Sequence, residues 1–243
     1  MASPVSPRAD ALRVEALGDR ALVAVLGDRI DPDVNARVHQ FAALVRARGL
    51  AGVTDLVPAY ATLTVHYDPA LWAGRGAPPH QALREELLRI WGRARARAPG
   101  KARRVELPVC YGGEFGPDLE EVAARCGLSA AEVMARHSTA EYRVYMLGFS
   151  PGFPYLGGLD PAIAAPRRET PRLRVPAGSV GIAGMQTGIY PQESPGGWQI
   201  IGRTPGRLFR PDRAEPCLLG PGDRLRFVPV GPEAFRAAAG AGP

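Results

Sequence analysis

Long apolar runs are missing from this chain. No stretch reaches the roughly 18 residues that a membrane-spanning helix needs, and the opening MASPVSPRAD lacks the hydrophobic segment of a secretory signal. A cytoplasmic location with no membrane contact is therefore expected. Cysteine is scarce: Cys110, Cys126 and Cys217 stand apart without CxxC spacing, so neither a disulfide nor a cysteine metal site is expected, and no other metal site is read. Lysine is nearly absent. Lys101 is the single lysine, and the arginines behind the net charge of +6 are spread along the whole chain. The one dense basic run, Arg93, Arg95, Arg97, Lys101, Arg103 and Arg104, contains Pro99 and Gly100 and no interleaved aromatics for base stacking. It reads as a solvated linker, and no nucleic-acid partner is expected. A GxxxxGK[ST] loop is missing as well, which removes one standard phosphate cradle.

What the chain does have is ordinary globular composition, 46% hydrophobic and 22% charged, enough to bury a core over 243 residues. Leu12 to Leu17 and Ala21 to Leu26 are apolar runs around Gly18, Asp19 and Arg20, which predicts a hairpin. Asp31 and Pro32 announce a helix carrying Val34, Val38, Phe41 and Val45, and Gly49 ends it. Two strands follow, Gly52 to Val57 and Ala61 to Tyr67. Pro79 then opens a helix with Leu83, Leu87, Ile90, Trp91 and Ala94 as its buried stripe. The order ββαββα makes residues 10–98 a small α+β domain, ferredoxin-like, with two helices over one face of an antiparallel sheet. His39 and His66 sit in it as isolated surface or core residues.

Past the linker, Arg104 to Cys110 reads as a strand. Pro117, Asp118, Glu120 and Glu121 crowd a helix start where the macrodipole favours negative charge, and Gly127 stops that helix. Ser129 and Glu132 form a capping box for a second helix ending near His137. Glu141 to Leu147 returns to strand, and from there to Val230 the chain should be almost all β. Between Tyr145 and Phe209 glycine and proline recur every few residues, yet Leu147, Phe149, Phe153, Tyr155, Val175, Val180, Ile182, Ile189, Trp198, Ile200 and Ile201 lie among them. Short strands joined by fixed turns account for both features, so residues 102–232 are read as a closed or nearly closed β-barrel.

The motifs LGFSPGFPYLGGL, PRLRVPAGSVGIAGMQTGIYP and SPGGWQIIGRTP resemble those of the 5-oxoprolinase B-subunit family, as do YGGEFGPDLEEVA and DLVPAYATLTVHYDP upstream. That family includes the kinase inhibitor KipI and the first component of allophanate-hydrolase-type carboxyltransferases. The resemblance runs from about Leu12 to about Pro229. It implies a cyclophilin-like barrel and a part in the ATP-dependent hydrolysis of 5-oxo-L-proline to L-glutamate. The implied partners are the 5-oxoprolinase C subunit, in direct contact, and the A subunit, with ATP as co-substrate of the complex. A KipI-like inhibitor of a sensor histidine kinase and an accessory protein of the allophanate-hydrolase or urea-carboxylase type are the alternatives.

Candidate chemistry is thinner. Gly148, Phe149, Ser150, Pro151 and Gly152 match the G-x-S-x-G elbow, but Pro151 has no N–H for the oxyanion hole that elbow requires, and Ser194 before Pro195 meets the same obstacle. His137 is suited to proton transfer near neutral pH or to helix-terminal carbonyls. Arg143, Arg172 and Arg203 are fixed cations suited to carboxylate or phosphate. Asp160 and Glu193 have no carboxylate partner, so no paired acid/base is read. The expected catalytic set is His137, Arg143 and Arg203. Substrate or nucleotide contacts are expected from Arg172, Gly178, Ser179, Gln186, Thr187, Tyr190, Ser194, Gly196 and Gly197, the glycine-rich PAGSVGIAG and SPGGW serving as backbone anion nests or as plain tight turns.

Overall fold

The structure is a computed structural model that describes residues 12–93 and 102–240. The expected linker residues Arg95, Arg97, Pro99, Gly100 and Lys101 lie outside the described residues, as do Ala94 and the opening MASPVSPRAD. The chain divides into two compact units, Met1–Lys101 and Ala102–Pro243.

The first unit runs β1 (Arg13–Ala16), β2 (Ala21–Val25), α1 (Pro32–Arg48), β3 (Val53–Pro58), β4 (Thr62–Tyr67) and α2 (Pro79–Gly92). Its sheet is antiparallel throughout, in the order β1-β2-β4-β3. Helix α1 starts where Asp31 accepts from the N–H groups of Asp33 and Val34, and it stops at Gly49, which turns left-handed with φ 57°. On β4 the buried side chains are Leu63, Val65 and Tyr67, alternating with less enclosed Thr62, Thr64 and His66. Against that face pack Val38, Phe41 and Val45 of α1 and Leu83, Leu87 and Ile90 of α2, one core with Trp72. Trp91, half-buried, meets Phe41 edge-on at 5.3 Å.

The second unit comprises β5 (Arg104–Tyr111), α3 (Leu119–Cys126), α4 (Ala130–Thr139), β6 (Tyr142–Leu147), β7 (Pro154–Gly157), β8 (Arg172–Val175), β9 (Ser179–Ala183), β10 (Gln186–Ile189), β11 (Ser194–Gly196), β12 (Gln199–Arg203), β13 (Arg224–Pro229) and α5 (Pro232–Gly240). Seven strands close into a barrel in the order β10-β7-β6-β13-β5-β12-β9, and β8 with β11 forms a separate ribbon. The α+β class and the closed barrel agree with the sequence reading. Every pairing in the barrel is antiparallel except β13 with β5. Closure leaves no free edge, so short strands suffice. Val109, Val144, Leu156, Val180, Ile182, Ile189, Ile201, Leu225 and Phe227 fill the main core, with Val122 and Val133 of α3 and α4. A separate cluster of Phe153, Val175, Tyr190, Trp198 and Ile200 joins the ribbon to the barrel wall.

Ser129 and Glu132 do form a reciprocal capping box at α4. Helix α5 lies beyond the stretch read as β; its Phe235 packs on Phe115 at 4.5 Å. The three cysteines are free thiols, with Cys110 buried. Among the described residues no helix is long and apolar enough to cross a membrane.

Candidate functional site

The site is built around Asp118. Sequence expects the acids before α3 to cap it, and Glu120 and Glu121 do stand in its first turn, but the Asp118 side chain makes no capping hydrogen bond. It turns instead toward β12, where Oδ2 accepts from the Ile200 N–H at 2.6 Å while the Asp118 N–H donates to the Ile200 carbonyl at 2.9 Å. The buried carboxylate, 3% exposed, then receives both Nη atoms of Arg172, at 2.8 and 2.6 Å, and Nη1 of Arg168 at 2.9 Å. Arg172 supplies the planar fork suited to a carboxylate. Its hydrogen bond to Asp118 raises its already high pKa further. Arg168 is not among the residues that sequence singles out; it also reaches Glu121 at 3.5 Å.

Beside this hub the motif aromatics form one group. Phe153 is at its centre, with ring centroids 5.3 Å from Tyr190, 5.5 Å from Trp198, 4.9 Å from Tyr155 and 5.4 Å from Phe149. Gly196 lies against the Tyr190 ring, so closely that any Cβ there would overlap the phenol oxygen. Burial pushes the Tyr155 and Tyr190 hydroxyls up, and the charge of Arg167, near both, pulls each back. Phe149 is 64% exposed and has φ 66°, the one non-glycine residue with positive φ among the described residues. That conformation carries a cost of about 1–2 kcal/mol for an L-residue with a side chain.

The remaining expected residues are placed as follows. His137 is 0% exposed, stacked on Phe227 at 4.6 Å inside the barrel. The Thr187 hydroxyl donates to the Gly181 carbonyl at 2.9 Å, so it accepts from Nε2 of His137 at 3.0 Å, leaving Nδ1 to accept from Tyr111 at 2.8 Å. Burial lowers the His137 pKa to about 3. The imidazole is thus a neutral, fully partnered core group, held away from solvent and unsuited to proton exchange with a substrate. Gly178, φ 82°, donates to the Tyr190 carbonyl at 2.7 Å, and a Cβ would overlap the Thr204 carbonyl oxygen. The Ser179 N–H donates to Pro176 O at 3.2 Å, so this pair serves a turn rather than an open anion nest. Arg203 donates Nε to Ala177 O at 2.7 Å. Gly197 accepts the Arg168 N–H at 2.8 Å, and the Ser194 hydroxyl reaches Pro195 O at 3.3 Å.

Arg143 pairs with Gly157 across β6 and β7, and Thr187, next to Gln186, pairs with Leu156. That register puts Arg143 and Gln186 at the far end of these strands from Phe149. The structure therefore gathers Arg172, Tyr190, Gly196 and Gly197 with Asp118 and Arg168, and it keeps His137, Thr187, Arg143 and Gln186 apart from them. Asp160 and Glu193 are paired with Arg136 at 2.8 Å and Arg174 at 2.9 Å. After Ser150 the chain enters β7 rather than a helix, and the Ser150 Oγ is enclosed without a hydrogen-bond partner. Among the described residues no group of three or more His, Cys, Asp or Glu is placed to hold a metal ion. The geometry offers a rigid, charge-neutralised surface with an exposed aromatic on a strained turn.

Comparison with known proteins gives this surface a lineage. The family described as "Carboxyltransferase domain, subdomain C and D" matches residues 12–219. The 5-oxoprolinase B subunit of Bacillus subtilis is 47% identical over 230 residues, covering 93% of this chain and 95% of that protein. The B subunit of Escherichia coli O157:H7 is 58% identical over 145 residues, 60% of this chain and 66% of that protein. Among solved structures, TTHA0988 superposes with TM-score 0.75 at 41% identity, covering 87% of this chain and 40% of that longer one. By these matches, nearly end to end in the first case, the chain belongs to the 5-oxoprolinase B-subunit family of carboxyltransferase-type domains.

Proposed function

We propose that this chain works as the B subunit of a cytoplasmic 5-oxoprolinase, opening the lactam of 5-oxo-L-proline to L-glutamate at the expense of ATP, together with A and C subunits. The carrying observation is the 47% identity over 95% of a protein named for that role. It favours this reading over a histidine-kinase inhibitor or a urea-derived carboxylate accessory.

The overall chemistry consumes two waters: the lactam oxygen, once phosphorylated by ATP, departs in the inorganic phosphate, and the C–N bond breaks to the free amine, so both oxygens of the new carboxylate come from water. ATP is needed because an amide carbonyl is a poor electrophile until its oxygen is phosphorylated. What this chain brings is a fixed framework, in which Arg172 and Arg168 are already held by Asp118 and His137 is enclosed in the barrel. Such a chain supports positioning and charge stabilisation on a shared surface, with the C subunit contributing the rest. The test is 5-oxoproline-dependent ATP hydrolysis by purified chains. Turnover with all three and none when this chain is left out is the expected result; unchanged turnover without it would overturn the reading.

A further inference from the structure

The segment between β12 and β13 lies just past the motifs that carry the family resemblance. Phe209 and Cys217 form an isolated bridge there, the Arg210 N–H donates to Pro216 O at 2.7 Å, and the Leu218 N–H donates to Leu208 O at 2.8 Å. A hairpin results, and at its base lies a concavity of about 240 Å³ lined by Arg103, Arg207, Arg210, Arg213, Glu215, Pro216, Cys217 and Leu218. Four guanidinium groups face a single lining carboxylate.

The four are not equivalent. Arg103 is committed to Asp223 at 2.5 Å and to the Leu218 carbonyl at 2.6 Å, which raises its pKa further. Arg210, half-buried, lies 3.5 Å from Asp212, and its Nε is enclosed without a hydrogen-bond partner. Arg207 and Arg213 are exposed, and among the described residues neither side chain has an ion pair or hydrogen bond. Asp223 and Asp212 offset Arg103 and Arg210, which leaves Arg207 and Arg213 facing Glu215 alone, and this excess of positive charge favours an anion between them. The wall of this loop also touches the family motif: at Gly152, in the turn after Phe149, a Cβ would stand 3.0 Å from Phe209 Cβ and 3.3 Å from the Leu208 carbonyl.

We propose that this concavity binds a phosphate-bearing anion, with Arg207 and Arg213 as its direct contacts and Arg210 as its floor. Guanidinium forks match phosphoryl oxygens two at a time, and several such contacts favour a multiply charged phosphate over a single carboxylate. Pockets for drug-sized ligands measure roughly 300–1,000 Å³. The smaller volume here suits phosphate groups alone, with any organic portion lying outside. Glu215 opposes binding and tunes it. The inference stands on this hairpin and does not require the oxoprolinase reading; if that reading holds, the phosphates of ATP are the natural occupant.

Cys217 provides a reporter, because it lines the concavity while half-buried Cys126 contacts the Ala164 carbonyl elsewhere. The full chain is labelled with iodoacetamide at fixed ionic strength, and each cysteine is followed by peptide mass spectrometry. Tripolyphosphate and ATP should each slow labelling of Cys217 about tenfold, the factor that roughly 1.4 kcal/mol of binding provides, with Cys126 unchanged. The doubly substituted Arg207→Ala, Arg213→Ala chain should lose the protection while keeping its urea midpoint, since both side chains are exposed. Glu215→Gln should lower the phosphate concentration needed. No protection by tripolyphosphate overturns the proposal, as does equal protection by glutamate, protection by ATP alone, or full protection in the double variant.

Discussion

Asp118 holds Arg172 through two parallel hydrogen bonds of 2.8 and 2.6 Å across 54 residues of sequence, and this pair ties the ribbon strand β8 to the start of α3. Its removal would leave two cations, Arg172 and Arg168, beside an empty place. Asp118→Asn is expected to cost about 2–3 kcal/mol in urea unfolding, below the roughly 3–5 of a fully enclosed pair because both guanidiniums keep some water contact. Arg172→Lys should destabilise in the same direction and keep less than half of the pair's contribution, since an ammonium cannot bridge both oxygens.

His137 gives the stability a pH dependence of known sign. Its ordinary value is 6.5 and burial lowers it to about 3 in the fold, so between these the unfolded chain binds the extra proton. The contribution is complete above pH 6.5 and is lost as pH falls, at about 1.4 kcal/mol per unit. The difference in urea stability between the native chain and His137→Phe should therefore shrink by about 2–3 kcal/mol from pH 6.5 to 4.5. Nuclear magnetic resonance of the native chain should show no titration of this ring between pH 5 and 8.

Two glycines in neighbouring motifs should respond very differently to the same change. Gly178→Ala combines a positive φ with overlap on the Thr204 carbonyl and should destabilise by at least about 3 kcal/mol. At Gly197 the nearest atom to an added Cβ is Pro171 Cγ at 3.6 Å, so Gly197→Ala should stay within about 0.5 kcal/mol. Thermal unfolding of the two variants side by side reads the contrast.

Phe149 is exposed on a strained turn, so its cost to the isolated chain must be offset elsewhere. Phe149→Gly should leave the unfolding midpoint unchanged or slightly raised, while weakening titration against the A and C subunits of the proposed complex about tenfold or more, as for an aromatic anchor at an interface. Unaltered affinity would place the partner surface away from this turn.

Much of this architecture was legible because its signals are local. Asp31 with Pro32, Ser129 with Glu132 and the alternation of Leu63, Val65 and Tyr67 each announce an element within a few residues. The site was less legible because its decisive contact is remote: in sequence Asp118 looks like one more acid at a helix start, and nothing nearby points to Arg172 or Arg168. His137 misled for a related reason. Its position in the last turn of α4 is readable, but its depth depends on Tyr111, Thr187 and Phe227 from three different strands. The Arg207 to Arg213 hairpin lay just past the recognised motifs, where arginines spaced along a turn carry no periodic signal.

The parallel pairing of β13 with β5 dictates an order of events during synthesis. Arg103 and Asp223, which clasp the two strands at one end, are 120 residues apart. Until the ribosome has released β13, β6 and β5 each lack the neighbour on that side and the barrel cannot close, so apolar side chains such as Val109 and Val144 lack their final cover. The first unit, whose strands and helices all precede residue 93, is free to fold well before that moment. A nascent chain arrested before Arg224 would thus carry a finished leading part and an open, adhesive trailing one, the species a chaperone would be expected to meet.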